Sequence, residues 1–278
     1  MTHAPAWWRA PLARLGAWRE QRALARRAIP DDLWALTLAR LPFVARLAAP
    51  DRAELRRLCS LFLDEKRFVA TDGLELTDEM ALTVTAQACL PVLQLGLRYY
   101  AGMSGIVLRR EGVVVQRSDM DEFGVVHEYD DSFVGEFSST GMVMISWGDA
   151  DDAMESAGIG MNVVIHEFAH VIDAATGDID GVPPLPDAAA RERWAETIDA
   201  AYDDFCAMVD DGIETVVDAY GAEAVDEFFA VAVESFFIDP IPFKREWPDL
   251  YPMFADYFGQ DPAAEAATSR SSHPRETP

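Results

Sequence analysis

The residues best suited to chemistry lie in one short segment, 166–170, which reads His-Glu-Phe-Ala-His within the apolar stretch 162–173. The pattern predicts a helix, and Gly177 stands where that helix could end. A spacing of four places both imidazoles on one face, so their nitrogens can converge on one zinc ion. Glu167, about 100° around the helix from His166, can reach a water at the metal without becoming a ligand.

A catalytic zinc usually has three protein ligands and one position for water, so this segment requires a third ligand. No histidine follows His170 before His273, which favours a carboxylate from farther along the chain. The predicted helix 225–237 is largely apolar and carries Glu227 and Glu234 seven positions apart on one stripe. A buried carboxylate needs a cation or hydrogen-bond partners, so either glutamate could complete the site.

The same residues also fit other interpretations. The two histidines could belong to a core helix and be satisfied by hydrogen bonds alone. Serine catalysis lacks a GxSxG elbow, and no glycine-rich phosphate loop is present. His127 is read as a strand residue rather than a fourth ligand, and Asp173, one turn after His170, as a group that could orient an imidazole.

Composition predicts a globular protein that does not bind nucleic acid. Half of the residues are hydrophobic, and the formal net charge of −25 would repel phosphates. Cys59, Cys89 and Cys206 are odd in number and widely spaced, which predicts free thiols in a reducing cytoplasm. No apolar run is long enough to cross a bilayer, so no membrane association is expected.

Helices are predicted over 32–41, from Asp51 onwards, and from Thr77 through Leu97 with a kink at Pro91. The stretch 105–116 predicts a β-hairpin that turns at 109–112, and 124–129 and 142–147 predict two further strands. We expect a basic, mobile amino-terminal segment at 1–27, a single domain at 28–262, and a disordered tail at 263–278.

These residues resemble the Mlc titration factor family of bacterial zinc peptidases, whose active-site pattern is related to the catalytic domain of anthrax lethal factor. The resemblance covers roughly residues 28 to 262. The segments that carry it are Leu90-Pro-Val-Leu, Leu95-Gly-Leu97, Ile145-Ser-Trp147, Asn162 to Asp173, Gly181-Val-Pro, Asp218-Ala-Tyr220, Glu227-Phe-Phe-Ala-Val and Gln260-Asp-Pro262.

The resemblance implies that His166, His170 and Glu227 hold one Zn²⁺ per chain, that Glu167 is the general base, and that Tyr220 donates a hydrogen bond to the oxyanion. It thereby favours Glu227 over Glu234. It also implies an α+β, zincin-like fold, mostly helical, with a small mixed sheet beside the HExxH helix. The chain departs from the family in lacking the proline often found before the glutamate ligand, which puts the local cap in question.

The implied function is zinc-dependent, aminopeptidase-like hydrolysis of a peptide or protein substrate. Because strand 142–147 comes shortly before the HExxH helix in the chain, a separate hypothesis is that an extended substrate pairs with the edge of this strand. A second hypothesis is that the protein acts by sequestering a transcriptional repressor such as Mlc, for which the family is named. In that case the zinc site could be structural.

Overall fold

The computed structural model describes residues 9–110, 116–120, 126–130, 141–155 and 162–271. Most of them are helical. The helices, in chain order, are α1 (Arg9–Arg26), α2 (Asp31–Arg40), α3 (Pro42–Ala45), α4 (Ala49–Glu65), α5 (Asp78–Cys89), α6 (Trp147–Glu155), α7 (Val163–Asp173), α8 (Ala188–Asp210), α9 (Val225–Ile238), α10 (Pro240–Glu246), α11 (Leu250–Phe258) and α12 (Pro262–Ser271). Short 3₁₀ helices lie at Leu97–Tyr100, Ala174–Thr176 and Ala219–Ala222. None of the described helices is long and apolar enough to cross a membrane.

The strands form two separate sheets. They are β1 (Arg67–Ala70), β2 (Gly105–Arg109), β3 (Gln116–Met120), β4 (Val126–Asp130) and β5 (Met142–Ser146). The first sheet has the order β1-β2-β5 and is parallel throughout, with Phe68 opposite Ile106 and Ile106 opposite Val143. The second is the antiparallel pair β3-β4, in which His127 lies opposite Asp119. The fold is therefore α+β, as predicted.

Two strand predictions were wrong. The stretch 105–116 does not form a hairpin, because β2 pairs in parallel with β1 on one side and β5 on the other. The sheet beside the HExxH helix is likewise parallel rather than mixed. Neighbouring parallel strands need a crossover connection, and α5 supplies it between β1 and β2. A turn signal next to an apolar run cannot reveal that this run, 105–109, pairs with strands that lie far away in the chain. Part of the expected hairpin, residues 111–115, lies outside the described residues.

The HExxH helix α7 lies at the centre of the core, packed against β5, α5 and α9. Phe168 is fully buried, and its ring lies 4.9 Å from that of Tyr100 and 6.0 Å from that of Phe62, measured between centroids. The Tyr100 hydroxyl donates to the carbonyl of Ala88 at 2.6 Å, so this aromatic cluster joins α7 to the end of α5. Buried aromatic packing of this kind holds α7 in one orientation.

Helix α5 ends earlier than its pattern suggested. It begins after Thr77, whose side chain accepts from the Met80 N–H at 3.2 Å, and it ends at Cys89 rather than kinking at Pro91. Proline has no N–H to donate, so the hydrogen-bond pattern of the helix stops there, although Leu90 before it still has helical φ and ψ. The predicted helix 32–41 is confirmed as α2, one residue earlier.

Both chain ends carry more structure than composition suggested. In the basic amino-terminal segment, α1 packs on α4, and Arg26 forms a two-point ion pair with Asp64. Beyond residue 262, where disorder was expected, residues 262–271 form α12 with Ala263 buried. Alanine is the best helix former, and Tyr251 holds the start of the helix by accepting from the Ala263 N–H at 2.9 Å. Residues 272–278 lie outside the described residues.

We predict that Glu265 on α12 makes stability depend on pH. Burial raises its pKa from 4.5 to about 7, aided by Asp51 and opposed by Arg46. The folded chain therefore binds this proton more tightly than the unfolded chain, so the stability contribution is complete below about pH 4.5 and is lost as the pH rises to about 7. The free energy of unfolding, measured by urea denaturation at about pH 5 and about pH 7.5, should fall less in Glu265→Gln than in the wild type.

The control for this experiment is Glu214→Gln, which changes an exposed glutamate. It should leave the wild-type difference intact. An identical pH difference in Glu265→Gln and the wild type would contradict the assignment.

Candidate metal centre

Helix α7 presents both histidines to the protein interior. Its first turn is capped by Asn162, whose side-chain oxygen accepts from the Ile165 N–H at 2.9 Å. His166 and His170 are only 5% and 3% exposed. The helix ends as predicted: one 3₁₀ turn follows it, and Gly177 closes that turn with φ of 100°, a conformation that glycine adopts readily.

Three donor atoms from α7 and α9 converge at this site. The two Nε2 atoms of His166 and His170 are 3.1 Å apart, and Oε2 of Glu227 lies 3.1 Å from the first and 3.3 Å from the second. Among the described residues, these three form the group that could hold a metal ion. The fold therefore brings a carboxylate to the two histidines of α7, although Glu227 lies 57 positions after His170 in the chain.

The triangle of donor atoms fits a zinc ion. Ligand atoms at the usual bond length of about 2.0–2.1 Å in a tetrahedral arrangement lie about 3.3 Å from one another. The observed separations of 3.1, 3.1 and 3.3 Å are close to that value. Two imidazole nitrogens and one carboxylate are also the donor types that a catalytic zinc prefers, and three of them leave a fourth position for water.

The site also favours a positive charge at its centre. Burial opposes ionisation of Glu227, but hydrogen bonds from His166 and His170 outweigh it and lower the pKa of this carboxyl. In His166, burial disfavours the charged ring, yet the hydrogen bonds to Glu227 and Glu234 raise its pKa well above the usual range. The surrounding carboxylates thus stabilise a cation between these groups, whether a proton or a metal ion.

Helix α9 brings Glu227 to the site from its first turn. The residue before the helix, Ala224, makes no capping hydrogen bond through its side chain, so the absent proline is not replaced by a polar cap. Asp226 and Glu227 place negative charge near the helix amino terminus, where the backbone dipole stabilises it. At the other end, Arg46 donates to the carbonyls of Phe237 and Ile238, which satisfies the end of the helix.

Glu234 contacts Nδ1 of His166, whereas Nε2 of the same ring faces His170 and Glu227. Its Oε1 lies 2.8 Å from Nδ1 of His166, and its Oε2 accepts from the backbone N–H of Asn162. A carboxylate accepts hydrogen bonds, so Nδ1 of His166 carries the hydrogen and donates it to Glu234. Nε2 of the same ring belongs to the triangle of atoms that could bind the metal. Of the two candidate glutamates, the structure brings Glu227 to the Nε2 atoms and places Glu234 where it orients the ring.

The sequence reading missed the two residues that complete this arrangement, Asn162 and Gln87. The Asn162 side-chain amide donates to Oε1 of Gln87 at 2.6 Å, and the Gln87 amide donates to the carbonyl of Thr83 at 3.2 Å. All of these groups are buried. A polar chain therefore runs from α5 through the cap of α7 to Glu234 and His166. The available signal was a glutamine between two alanines near the end of a helix predicted to lie in the core, since a buried amide needs partners.

Asp173 organises the loop after α7. Its Oδ2 accepts from the backbone N–H groups of Asp180 at 3.0 Å and Gly181 at 2.7 Å. Within the described residues its Oδ1 and the Nδ1 of His170 have no hydrogen-bond partner, so Asp173 does not orient this imidazole directly. Burial raises the pKa of Asp173 to about 6, although the Gly181 N–H opposes that rise.

Glu167 and Tyr220 lie close to the donor triangle. Glu167 is half-buried beside both histidines; burial raises its pKa, while positive charge on His166 and His170 would lower it. The Tyr220 ring centroid lies 6.0 Å from that of His166. Gly221 lets this turn pack closely on α9, because an added Cβ would lie 2.6 Å from a Val231 methyl and 3.1 Å from the Phe228 Cα.

We predict that Glu234→Gln lowers zinc affinity about 10–100-fold, because a neutral amide holds the Nδ1–H of His166 less strongly than a carboxylate and makes Nε2 a less basic ligand. Competition with a chelator of known affinity measures this loss. The matched control is Glu214→Gln, an exposed glutamate remote in sequence from both histidines. Thermal unfolding of both variants checks that the fold is retained. Wild-type affinity in a folded Glu234→Gln protein would contradict the orienting role.

Comparisons with known proteins identify the family of the chain. Residues 15–259 match the family described as glucose-regulated metallo-peptidase M90. Mlc titration factor A of Klebsiella pneumoniae is 34% identical over 234 residues, covering 82% of this chain and 86% of that protein. An uncharacterised protein of Synechocystis is 32% identical over 246 residues, covering 88% and 89%. By the extent of the family match and of these relatives, the chain belongs to the glucose-regulated metallo-peptidase M90 family.

Proposed function

We propose that this protein is a zinc-dependent peptidase with aminopeptidase-like activity. The observation that supports it best is the convergence of His166, His170 and Glu227, whose donor atoms all lie within 4.8 Å of one another. A fourth residue with a matching chemical role, Glu167, follows the first histidine directly on α7. Membership of a metallo-peptidase family supports the same reaction class.

In this proposal, each side chain has a separate role. Bound zinc would supply Lewis acidity, which lowers the pKa of a coordinated water and polarises a carbonyl. Glu167 takes a proton from the attacking water and delivers it to the departing amine; its burial, which raises its pKa, suits a group that must both accept and release a proton. Tyr220 donates a hydrogen bond to the developing oxyanion. Glu234 keeps His166 in the correct ring orientation.

Strand β5 offers a place for the substrate backbone. Within the described residues, β5 pairs with β2 on one side and is an edge of its sheet on the other. The strand also packs against the HExxH helix α7, which carries Glu167. An extended peptide that adds to this edge would form main-chain hydrogen bonds without any requirement for sequence. Sequence preference would then come from side-chain pockets along the edge.

We predict that Glu167→Gln retains zinc but loses peptide hydrolysis, because the amide cannot accept the proton from water. Metal analysis by mass spectrometry tests the first part. Hydrolysis of aminoacyl chromogenic substrates and of internally quenched peptides tests the second and separates aminopeptidase from endopeptidase activity. Wild-type activity in Glu167→Gln would refute the mechanism, and activity on quenched peptides alone would refute the aminopeptidase-like preference.

We predict that Tyr220→Phe lowers kcat about 10²–10³-fold with little change in KM, because the lost hydrogen bond acts mainly in the transition state. Steady-state kinetics measures both constants. The control is Tyr202→Phe, which removes another tyrosine hydroxyl, one that donates to the carbonyl of Ala222 at 3.0 Å. An equal loss of kcat in both variants would indicate disturbed packing of the Ala219–Ala222 turn rather than oxyanion stabilisation.

A second function is favoured by the names of the relatives. Several are called Mlc titration factor A, which suggests binding of the Mlc repressor by those proteins. The corresponding proposal here is that the chain sequesters a transcriptional repressor in the cytoplasm and that its zinc site is structural. A repressor pull-down with Glu167→Gln, together with a measurement of repression in cells, distinguishes the two proposals. Full capture of the repressor with full relief of repression would favour sequestration. Capture without relief of repression would favour catalysis.

A further inference from the structure

A second concave feature lies away from the donor triangle. It is a groove of about 1580 Å³ between α8 and the segment 246–257, with the loop 184–186 and the turn at Tyr99 at its sides. None of the five residues His166, Glu167, His170, Tyr220 and Glu227 lines it. The proposed metal ligands and catalytic residues therefore lie outside this groove.

One face of α8 forms the long wall of the groove. The residues that line it recur every three or four positions, which places them on one stripe of the helix. The positions on this stripe are Ala190, Arg193, Thr197, Ala200, Asp204, Ala207 and Asp211. From Ala190 to Asp211 the helix rises about 30 Å, and most of its stripe carries small side chains. Small side chains at this spacing let a second helix approach closely.

The floor of the groove combines a rigid aromatic residue with adaptable apolar ones. Trp194 is 3% exposed, stacks on Phe254 with a centroid distance of 5.7 Å, and donates its indole N–H to the carbonyl of Gly181 at 2.8 Å. Met208 and Met253 are half-buried and also line the groove. Methionine side chains adapt to different apolar partners, so this floor suits an apolar face of variable sequence.

The rim of the groove is acidic. Six carboxylates and two arginines, Arg98 and Arg193, are among its lining residues. Five of the carboxylates are exposed and have no ion pair with any residue in the described ranges: Glu196, Asp204, Asp211, Asp249 and Asp256. An apolar floor between unpaired carboxylates is complementary to a helix with one apolar face and flanking lysine or arginine residues.

We propose that this groove binds a basic amphipathic helix of a partner protein. The length of the stripe accommodates several helical turns, the small residues of α8 permit close contact, and the acidic rim selects positive charge. The rim would repel a nucleic acid or an acidic helix. The proposal goes beyond the peptidase function and does not depend on it.

The test uses the full chain and a fluorescently labelled helical peptide of about 20 residues, built from leucine, alanine and lysine so that one face is apolar. A comparison peptide has glutamate in place of lysine. Fluorescence anisotropy measures both dissociation constants, and we expect binding of the lysine peptide alone. Equal binding of the two peptides, or of neither, would overturn the proposal.

Two triple variants on the chain separate the groove from the general negative charge of the protein. Glu196→Gln, Asp204→Asn and Asp256→Asn remove groove charges and should weaken binding about tenfold, since the loss of each exposed pair should weaken it about twofold. Glu192→Gln, Asp199→Asn and Asp203→Asn remove three exposed charges from α8 outside the groove and should change it less than about twofold. Equal losses in the two variants would overturn the proposal.

Shape is tested separately from charge. Ala200→Gln adds bulk to the stripe without charge and should weaken binding, whereas Ala189→Gln, at an exposed position outside the groove, should not. Equal effects of the two changes would overturn the proposal. Glu167→Gln should bind the peptide as the wild type does, so a failed peptidase assay leaves this result interpretable. Sedimentation at twice the chain mass, with binding lost on dimerisation, would assign the groove to a second copy instead.

Discussion

The mutual approach of three electron-rich atoms is the interaction on which the candidate site depends. Nε2 of His166, Nε2 of His170 and Oε2 of Glu227 lie 3.1–3.3 Å apart in a buried place, where their repulsion would be costly without a cation or shared protons. The rise in the pKa of His166 and the fall in that of Glu227 express the same demand for positive charge. A metal ion meets this demand with the geometry that is present.

The rest of the core holds these atoms in place. Helix α7 is clamped by the aromatic cluster around Phe168, and its first turn is tied to α5 through Asn162 and Gln87. Glu234, from the same helix as Glu227, connects that polar chain to His166. Helix α9 therefore supplies both a donor to the site and the group that orients another donor. Fully hydrogen-bonded buried networks of this kind limit the positions that the side chains can adopt.

The loop after α7 connects the site to the groove along α8. Three contacts meet at Gly181. Its N–H donates to Asp173, and its carbonyl accepts from Trp194 in the groove floor. Its Cα packs against the backbone of Val225 at the start of α9. The glycine is required here, since it has a positive φ of 73° and a Cβ would lie 3.1 Å from the Val225 carbonyl oxygen. The proposed docking surface and the metal centre thus share one structural loop.

Local sequence was sufficient to predict the two histidines, the helix that carries them, its glycine end at Gly177 and the helix that carries Glu227. Each of these follows from spacing within a single element, and one helical turn determines which side chains share a face. The α+β class was an expectation from the family resemblance, and the helical patterns and short β-rich runs of the chain agree with it. The choice of Glu227 over Glu234 came from family resemblance, since both glutamates lie on one stripe.

Tertiary structure alone decided which side of the His166 ring each glutamate meets, which residues complete the hydrogen-bond chain, and which strands pair. The partners of Glu234 lie 68 and 72 positions away, and β2 pairs with strands on both sides rather than with the run that follows it. Tertiary structure also decided that α12 forms, because its composition suggested disorder, whereas in the fold Ala263 is buried. Periodicity predicts which face of a helix or strand is apolar. Which other element packs against that face depends on how all the elements pack together.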